Sequence, residues 1–284
     1  MTAIVYHIPV SLVPAYRGQR IIVRSHEPAE LVKALPENDQ ENLVGVQLLS
    51  LTADADALAD WGYAVPVELA MSHPETEFPL LYRHAKLLDK HPIRVAILIV
   101  PGVSKAVKIA TSLQFSVKLE VGQPDPPAVE ELRAALDFYL HHASVSQPIE
   151  YFHSALLSFY HRDPVTLWDI QEEDPTSLRY VTDDGRETIA RRLVSGSVGT
   201  VENVSSVPGD LDTFVTHLKT EVLAEGSECS QCEFFANCGG YFKWPCKEYS
   251  CDGVKTVFRA LREAAGELQH DLTSFGQSKM EAAR

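Results

Sequence analysis

The chain has 284 residues, 45% of them hydrophobic and 23% charged, and a formal net charge of −14. That length can bury a sizeable core, as one barrel-sized domain or two smaller ones, and the composition excludes a disordered or fibrous chain. The negative charge repels phosphate backbones and anionic lipid surfaces, so no nucleic acid and no membrane is expected as a partner. A basic partner suits it better, although solubility is the plainer reason for such a charge.

In chain order, the N-terminus has no basic residue ahead of the short apolar stretch Ala3-Ile4-Val5, so no signal peptide is expected. No apolar run approaches the roughly 20 residues that span a bilayer. The longest, residues 95–100, has the length of a buried strand. The expected location is therefore cytoplasmic. From about residue 20 to 145, short β-branched runs alternate with helical stretches. Strands are predicted at Ile21-Ile22-Val23, at 44–49, 65–69, 94–100 and 117–121, and helices at 28–34, 54–61, 77–89, 104–113 and 127–141. In the last of these Val129, Leu132, Leu136 and Leu140 repeat at three-and-four spacing, with Pro127 in the first turn. Regular strand–helix alternation predicts a mostly parallel α/β sheet with right-handed crossovers, closed or partly closed. Pro66 fits only at a strand start or on an edge.

The rhythm changes after Pro148. A helix through the 150s to Tyr160 leads to the acidic stretch 171–175. Two β-prone runs then flank Asp183-Asp184-Gly185, a hairpin signal because glycine tolerates the positive φ of tight turns. A Gly-, Ser- and Val-rich loop at 195–207 precedes a helix over 210–223. A last amphipathic helix over 254–268 carries Val257, Leu261 and Ala264, and the final dozen polar residues are expected to fray.

All five cysteines fall between Cys229 and Cys251. In a reducing compartment such a cluster reads as metal ligands rather than disulfides, and an odd count leaves one thiol over. The spacing is Cys229-x2-Cys232-x5-Cys238, followed by Cys246 and Cys251. A two-residue gap lets one turn of chain aim two thiolates at one metal centre, as zinc knuckles and iron–sulfur sites both require. Gly239-Gly240 allows a close backbone approach, and Phe234, Phe235, Tyr241, Phe242 and Trp244 supply an apolar shell. With no histidine in the segment, a zinc site here would be all thiolate.

Cys-x2-Cys-x5-Cys-Gly-Gly resembles the C-terminal half of the SPASM domain, the auxiliary iron–sulfur module of radical S-adenosylmethionine enzymes that modify peptides and proteins. Val181-Thr182-Asp183-Asp184-Gly185 resembles the hairpin that opens that domain, Val198-Gly199-Thr200-Val201 its Gly-Asn-Ile segment, and 210–218 its following helix. The strand–helix units before them resemble, in topology, the partial barrel of the same enzymes. The resemblance implies three parts. Residues 1–148 would form a degenerate partial (β/α) barrel, 149–177 a connecting helix and loop, and 178–284 a SPASM-like iron–sulfur domain with a C-terminal helix. It implies one [4Fe–4S] cluster held by Cys229, Cys232, Cys238 and Cys251. Cys246 is the alternative fourth ligand, and zinc the alternative metal.

The departures are as specific. Ala190 stands where the family has a cysteine after the hairpin, and Phe242 where it has a further closely spaced one. Both losses concern the same auxiliary cluster, so one cluster is deleted and one retained. The Cys-x3-Cys-x2-Cys motif that holds the family's catalytic cluster is absent, as is a Gly-Gly-Glu-Pro-like motif, so no S-adenosylmethionine is expected to bind or be cleaved. The implied role is a non-catalytic partner of a radical S-adenosylmethionine enzyme, a precursor peptide, or both. The alternatives are an enzyme using the barrel mouth for unrelated chemistry with a structural metal, and a zinc-stabilised binding protein. Glu68, His73 and Glu120 sit at or just past predicted strands, where barrel sites collect, although caps and ion pairs are their plainer role. His141, His142, His153 and His161 share no single helix face, and the acidic run Glu172-Glu173-Asp174 reads as a solvated loop.

Overall fold

The computed structural model describes residues 4–172, 177–188, 190, 211–224 and 226–282. Nine strands form one sheet: β1 (Val5–Pro9), β2 (Arg20–Ser25), β3 (Leu43–Leu48), β4 (Val67–Met71), β5 (Ile93–Leu98), β6 (Ser116–Glu120), β7 (Ile149–Glu150), β8 (Leu178–Val181) and β9 (Glu187–Thr188). Their spatial order is β7-β6-β5-β4-β3-β2-β1-β8-β9, and every pair is parallel except the β8–β9 hairpin. From β1 to β7 each strand lies beside its predecessor in sequence, so the chain winds steadily in one direction.

The helices are α1 (Pro28–Ala34), α2 (Asp56–Asp60), α3 (Pro74–Glu77), α4 (Leu81–His84), α5 (Val103–Ser112), α6 (Pro126–His141), α7 (Phe152–His161), α8 (Leu167–Gln171), α9 (Leu211–Val222), α10 (Phe235–Cys238) and α11 (Asp252–Ala282). Pro126 and Pro127 open α6 behind Asp125, whose side chain accepts the Ala128 amide at 2.9 Å. Pro66 falls just before β4, where its carbonyl accepts the Val46 amide and its missing N–H costs no ladder bond.

Register makes the two faces of the sheet chemically different. Val46, Val67, Leu69, Val95, Ile97, Val117 and Leu119 align on one face and are almost fully buried. The opposite face carries Ile22, Gly45, Gln47, Glu68, Arg94 and Lys118. An apolar face packed by helices and a polar second face are unusual for a parallel sheet, whose strands are normally apolar on both.

Three expectations need correction. No strand was expected before residue 20, yet Val5–Pro9 form β1, an interior strand third from one edge and paired with both β2 and β8. The helix expected over 77–89 is broken into α3, α4 and short 3-10 turns, because Pro79 interrupts the α ladder. The C-terminal residues expected to fray continue α11 to Ala282, in a stretch rich in good helix formers such as Ala, Glu, Lys and Met. The hairpin forms as expected, with Gly185 donating to the Thr182 carbonyl. It extends the main sheet across the boundary drawn at residue 178. The loop at 195–207, including 198–201, and residues 173–176 lie outside the described residues.

Where β7 ends after two residues, the Gln171 side chain completes the edge of β6. Its Nε2 donates to the Leu119 carbonyl at 3.2 Å and its Oε1 accepts the Val121 amide at 3.1 Å, as a neighbouring strand's peptide would. Replacing Gln171 by Leu leaves both backbone groups buried and unpaired. We expect a loss of about 2–4 kcal/mol in urea unfolding, against little change for an exposed control such as Lys105→Ala.

Candidate metal centre

The segment that carries the cysteines has little regular structure of its own. Cys229 opens a 3-10 turn ending at Gln231, Cys232 follows it, Cys238 ends α10, and Cys251 immediately precedes α11. Gly239 and Gly240 both take left-handed φ values, +61° and +78°, which reverse the chain just after Cys238. A Cβ on Gly239 would crowd the Trp168 ring at 3.1 Å, on top of the left-handed φ that already favours glycine there.

Side chains from the sheet half dock this segment. The Gln123 Nε2 donates to the carbonyls of Phe242 and Cys246, both at 2.7 Å, and its Oε1 accepts the Cys246 amide at 3.3 Å. Trp168 Nε1 donates to the Gly239 carbonyl at 3.0 Å, Tyr249 Oη to the Pro124 carbonyl at 2.8 Å, and Tyr241 Oη to Glu172 at 3.1 Å. From the other side, α11 lies along α7 and α6 and buries Val254, Val257, Phe258, Leu261 and Ala265 at helical spacing.

Cys229, Cys232, Cys238 and Cys251 line one cavity, walled by Phe234, Phe242 and Phe258. Cys246 is exposed and lies outside it, with its Sγ 3.4 Å from Glu248 Oε2. All five thiols are free. Burial pushes the Cys229 thiol up, that of Cys238 up to about 11 and that of Cys251 up to about 12. Opposing this at Cys238 are the backbone amides of Phe242, Gly240 and Tyr241, which donate to its sulfur. Among the described residues, no three His, Cys, Asp or Glu side chains converge as ligands of a single ion.

One charged group borders the cavity, and spacing gave no hint of it. The Glu228 carboxylate accepts from Lys243 Nζ at 2.7 Å, from Lys255 Nζ at 2.5 Å and from the Cys251 amide at 3.2 Å. Burial alone would raise this carboxyl, but the two ammonium groups outweigh it and hold it down at about 2. Lys243, itself buried, also donates to the Tyr249 carbonyl at 2.5 Å. One carboxylate and two lysines leave a net positive charge beside the four thiols.

The other residues singled out in the sequence do not gather. Glu68 accepts from Gln47 Nε2 at 2.6 Å and pairs with Arg94 at 2.6 Å. His73 precedes α3, where its amide bonds Glu77 Oε2. His153 meets Tyr139 Oη, His142 meets Ser144, and His141 faces Asp137 at 3.8 Å. His161 lines a separate cavity with Glu150 and Ser154, and Glu120 ends β6. Ala190 and Phe242, where the resemblance places cysteines, are both buried.

Neither family models, nor curated proteins, nor solved structures give a match to this chain.

Thiol chemistry separates Cys246 from the rest. A thiol raised to about 11 holds on the order of 100-fold less thiolate at pH 8 than an ordinary cysteine, and only the thiolate attacks. In metal-free native chain, iodoacetamide should label Cys246 fastest and Cys238 and Cys251 at least tenfold more slowly, read by peptide mass mapping. Equal rates at the three positions would contradict this geometry.

Proposed function

We propose that this chain is a non-catalytic iron–sulfur partner subunit of a peptide- or protein-modifying radical S-adenosylmethionine system in the cytoplasm. It would bind the precursor peptide or the catalytic enzyme. The observation that carries the reading is the placement of Cys229, Cys232, Cys238 and Cys251 on one apolar cavity with Cys246 outside it.

The donor set fits a cluster. A zinc ion draws its sulfurs to about 3.8 Å apart, from Zn–S bonds of about 2.3 Å in a tetrahedron. A four-iron cluster spreads its thiolates over four irons, one each. Four cysteines on one cavity can supply one thiolate to each of four irons. The three amides on Cys238 and the Lys243–Glu228–Lys255 group would offset negative charge on such a centre. When bound, the cluster supplies one-electron transfer. The four cysteines would hold it and the three phenylalanines would exclude water from it, on a segment that Gln123 and Trp168 dock to the sheet half. The steady winding of β1 to β7 supports a section of (β/α) barrel as the scaffold.

The absence of catalysis rests on sequence. Reductive cleavage of S-adenosylmethionine needs an iron with a vacant position. The chain has no cysteine before Cys229, and four thiolates leave a cluster no open iron. Chain purified without oxygen should be brown, with about four irons and four sulfides. Alanine at Cys229, Cys232, Cys238 or Cys251 should remove most of both, and Cys246→Ala little. Stoichiometric zinc without sulfide, in protein from iron-replete anaerobic culture, would overturn the cluster.

Reconstituted chain with S-adenosylmethionine and a strong reductant should form no 5′-deoxyadenosine. Added to a cognate radical enzyme it should raise turnover on the peptide, and Cys229→Ala should weaken that effect. Sustained 5′-deoxyadenosine from this chain alone, lost in Cys232→Ala, would show the cluster to be catalytic.

A further inference from the structure

The polar face of the sheet holds a second feature, far from any cysteine in sequence. On that face Gln47, Glu68 and Arg94 stand side by side on β3, β4 and β5. Glu68 takes a hydrogen bond from Gln47 at 2.6 Å and another from Arg94 Nε at 2.8 Å, so its charge is answered within the row. Lys118, on β6, differs. Only 9% of it is exposed, and among the described residues the contact of its ammonium group is the Gln171 carbonyl at 3.5 Å. The other two buried cations have carboxylates: Arg24 meets Asp183 at 2.8 Å, and Lys243 meets Glu228 at 2.7 Å. Glu150 lies opposite Lys118 in the ladder, yet its carboxylate accepts from Ser154 Oγ at 2.7 Å.

Lys118 and Arg94 line two cavities at once. One, of about 350 Å³, has an apolar wall from Ile22 beside Gly45, with His7 and Tyr180 at its end. The other, of about 470 Å³, is bordered by Glu150, His161, Asp163 and Asp169. Both are of the size that holds a small organic molecule, the first with an apolar wall and a few converging polar groups and the second lined mostly by polar side chains. A buried ammonium without a counter-charge destabilises the fold that contains it, and this cost is removed when a ligand brings the anion.

We propose that the polar face of the sheet binds a small organic monoanion. Its carboxylate, or an equivalent acid group, sits on Lys118 Nζ, and its apolar or aromatic body lies along Ile22 and over Gly45 toward Tyr180. The carboxylates of Glu150, Asp163 and Asp169 beyond Lys118 reject a second negative charge, which excludes polyanions such as nucleotides. The site needs no metal, so it stands whether or not the cysteines hold iron.

The full-length chain can be titrated with two fluorescent probes of the same body: 8-anilinonaphthalene-1-sulfonate, an anion, and N-phenyl-1-naphthylamine, which is uncharged. The anionic probe should bind at one site and the tighter of the two. Lys118→Met should weaken it at least tenfold while leaving the neutral probe within about twofold, whereas Lys118→Arg should retain the preference for the anion. Ile22→Trp, which fills the apolar lobe, should lower binding of both. Should Lys118→Met fail to fold, the Lys118→Arg and Ile22→Trp results decide. The proposal is overturned by an anionic probe that binds no tighter than the neutral one. Binding at several sites indifferent to Ile22→Trp, or equal losses of both probes in Lys118→Met, overturns it too.

Discussion

Gln123 stands where the sheet ends and the cysteine-bearing segment begins, and both ends of its amide bond the backbone of that segment. From Gly226 to Cys251 the chain has only short turns, so few of its peptide groups find partners in regular ladders. Buried backbone groups must nevertheless be paired. The sheet half meets that demand with side chains: Gln123 on Phe242 and Cys246, and Trp168 on Gly239. These bonds set the course of the chain between Cys238 and Cys251. The sharing of one cavity by four cysteines therefore depends on residues up to 123 positions away in sequence.

The same docking explains why Cys246 is set apart. Its amide and carbonyl are both held by Gln123, which turns that stretch of backbone inward and leaves the thiol at the surface. Cys251 sits at the positive end of the 31-residue α11, and Lys243 and Lys255 add positive charge beside it. Burial still dominates at Cys229, Cys238 and Cys251, whose thiols are pushed up. The wall is thus arranged for negative charge that these protonated thiols do not carry. Any centre that deprotonates them would meet a charge environment already in place.

Much of the fold was legible because parallel strands buried in a sheet leave unbroken β-branched runs. β2, β3, β5 and β6 were found within a residue or two, and α1 and α6 by periodicity and proline placement. β1 escaped because His7 and Pro9 interrupt its five residues, and the pairing that makes it an interior strand is with chain as distant as Leu178. The break between 77 and 89 was in plain view as Pro79, but the apolar spacing around it imitates a helix. At the candidate site, spacing groups Cys229, Cys232 and Cys238, and the resemblance adds Cys251 ahead of Cys246. Which of these last two shares the cavity depends on how Gln123 turns the backbone. Glu228, Lys243 and Lys255 were invisible for a similar reason: separations of 15 and 27 residues follow no helix or strand period. Only folding brings them together.

Among the described residues two lysines are buried, within a chain of net charge −14. An anion approaching such a surface is repelled over roughly a Debye length, about 8 Å at physiological salt, so no exposed lysine could collect it efficiently. A cation set inside a low-dielectric cavity acts differently. Its field is screened less, and it works only on a ligand that has already entered. Lys118 on the polar face and Lys243 beside the cysteines are both placed in this way, one with an uncommitted charge and the other clamped by Glu228. The difference in clamping separates their uses. Lys243 is held rigidly by Glu228 and the Tyr249 carbonyl, as suits a fixed centre whose charge is set by the fold. Lys118, tied only to a distant carbonyl among the described residues, keeps its strongest interaction available for something that comes and goes.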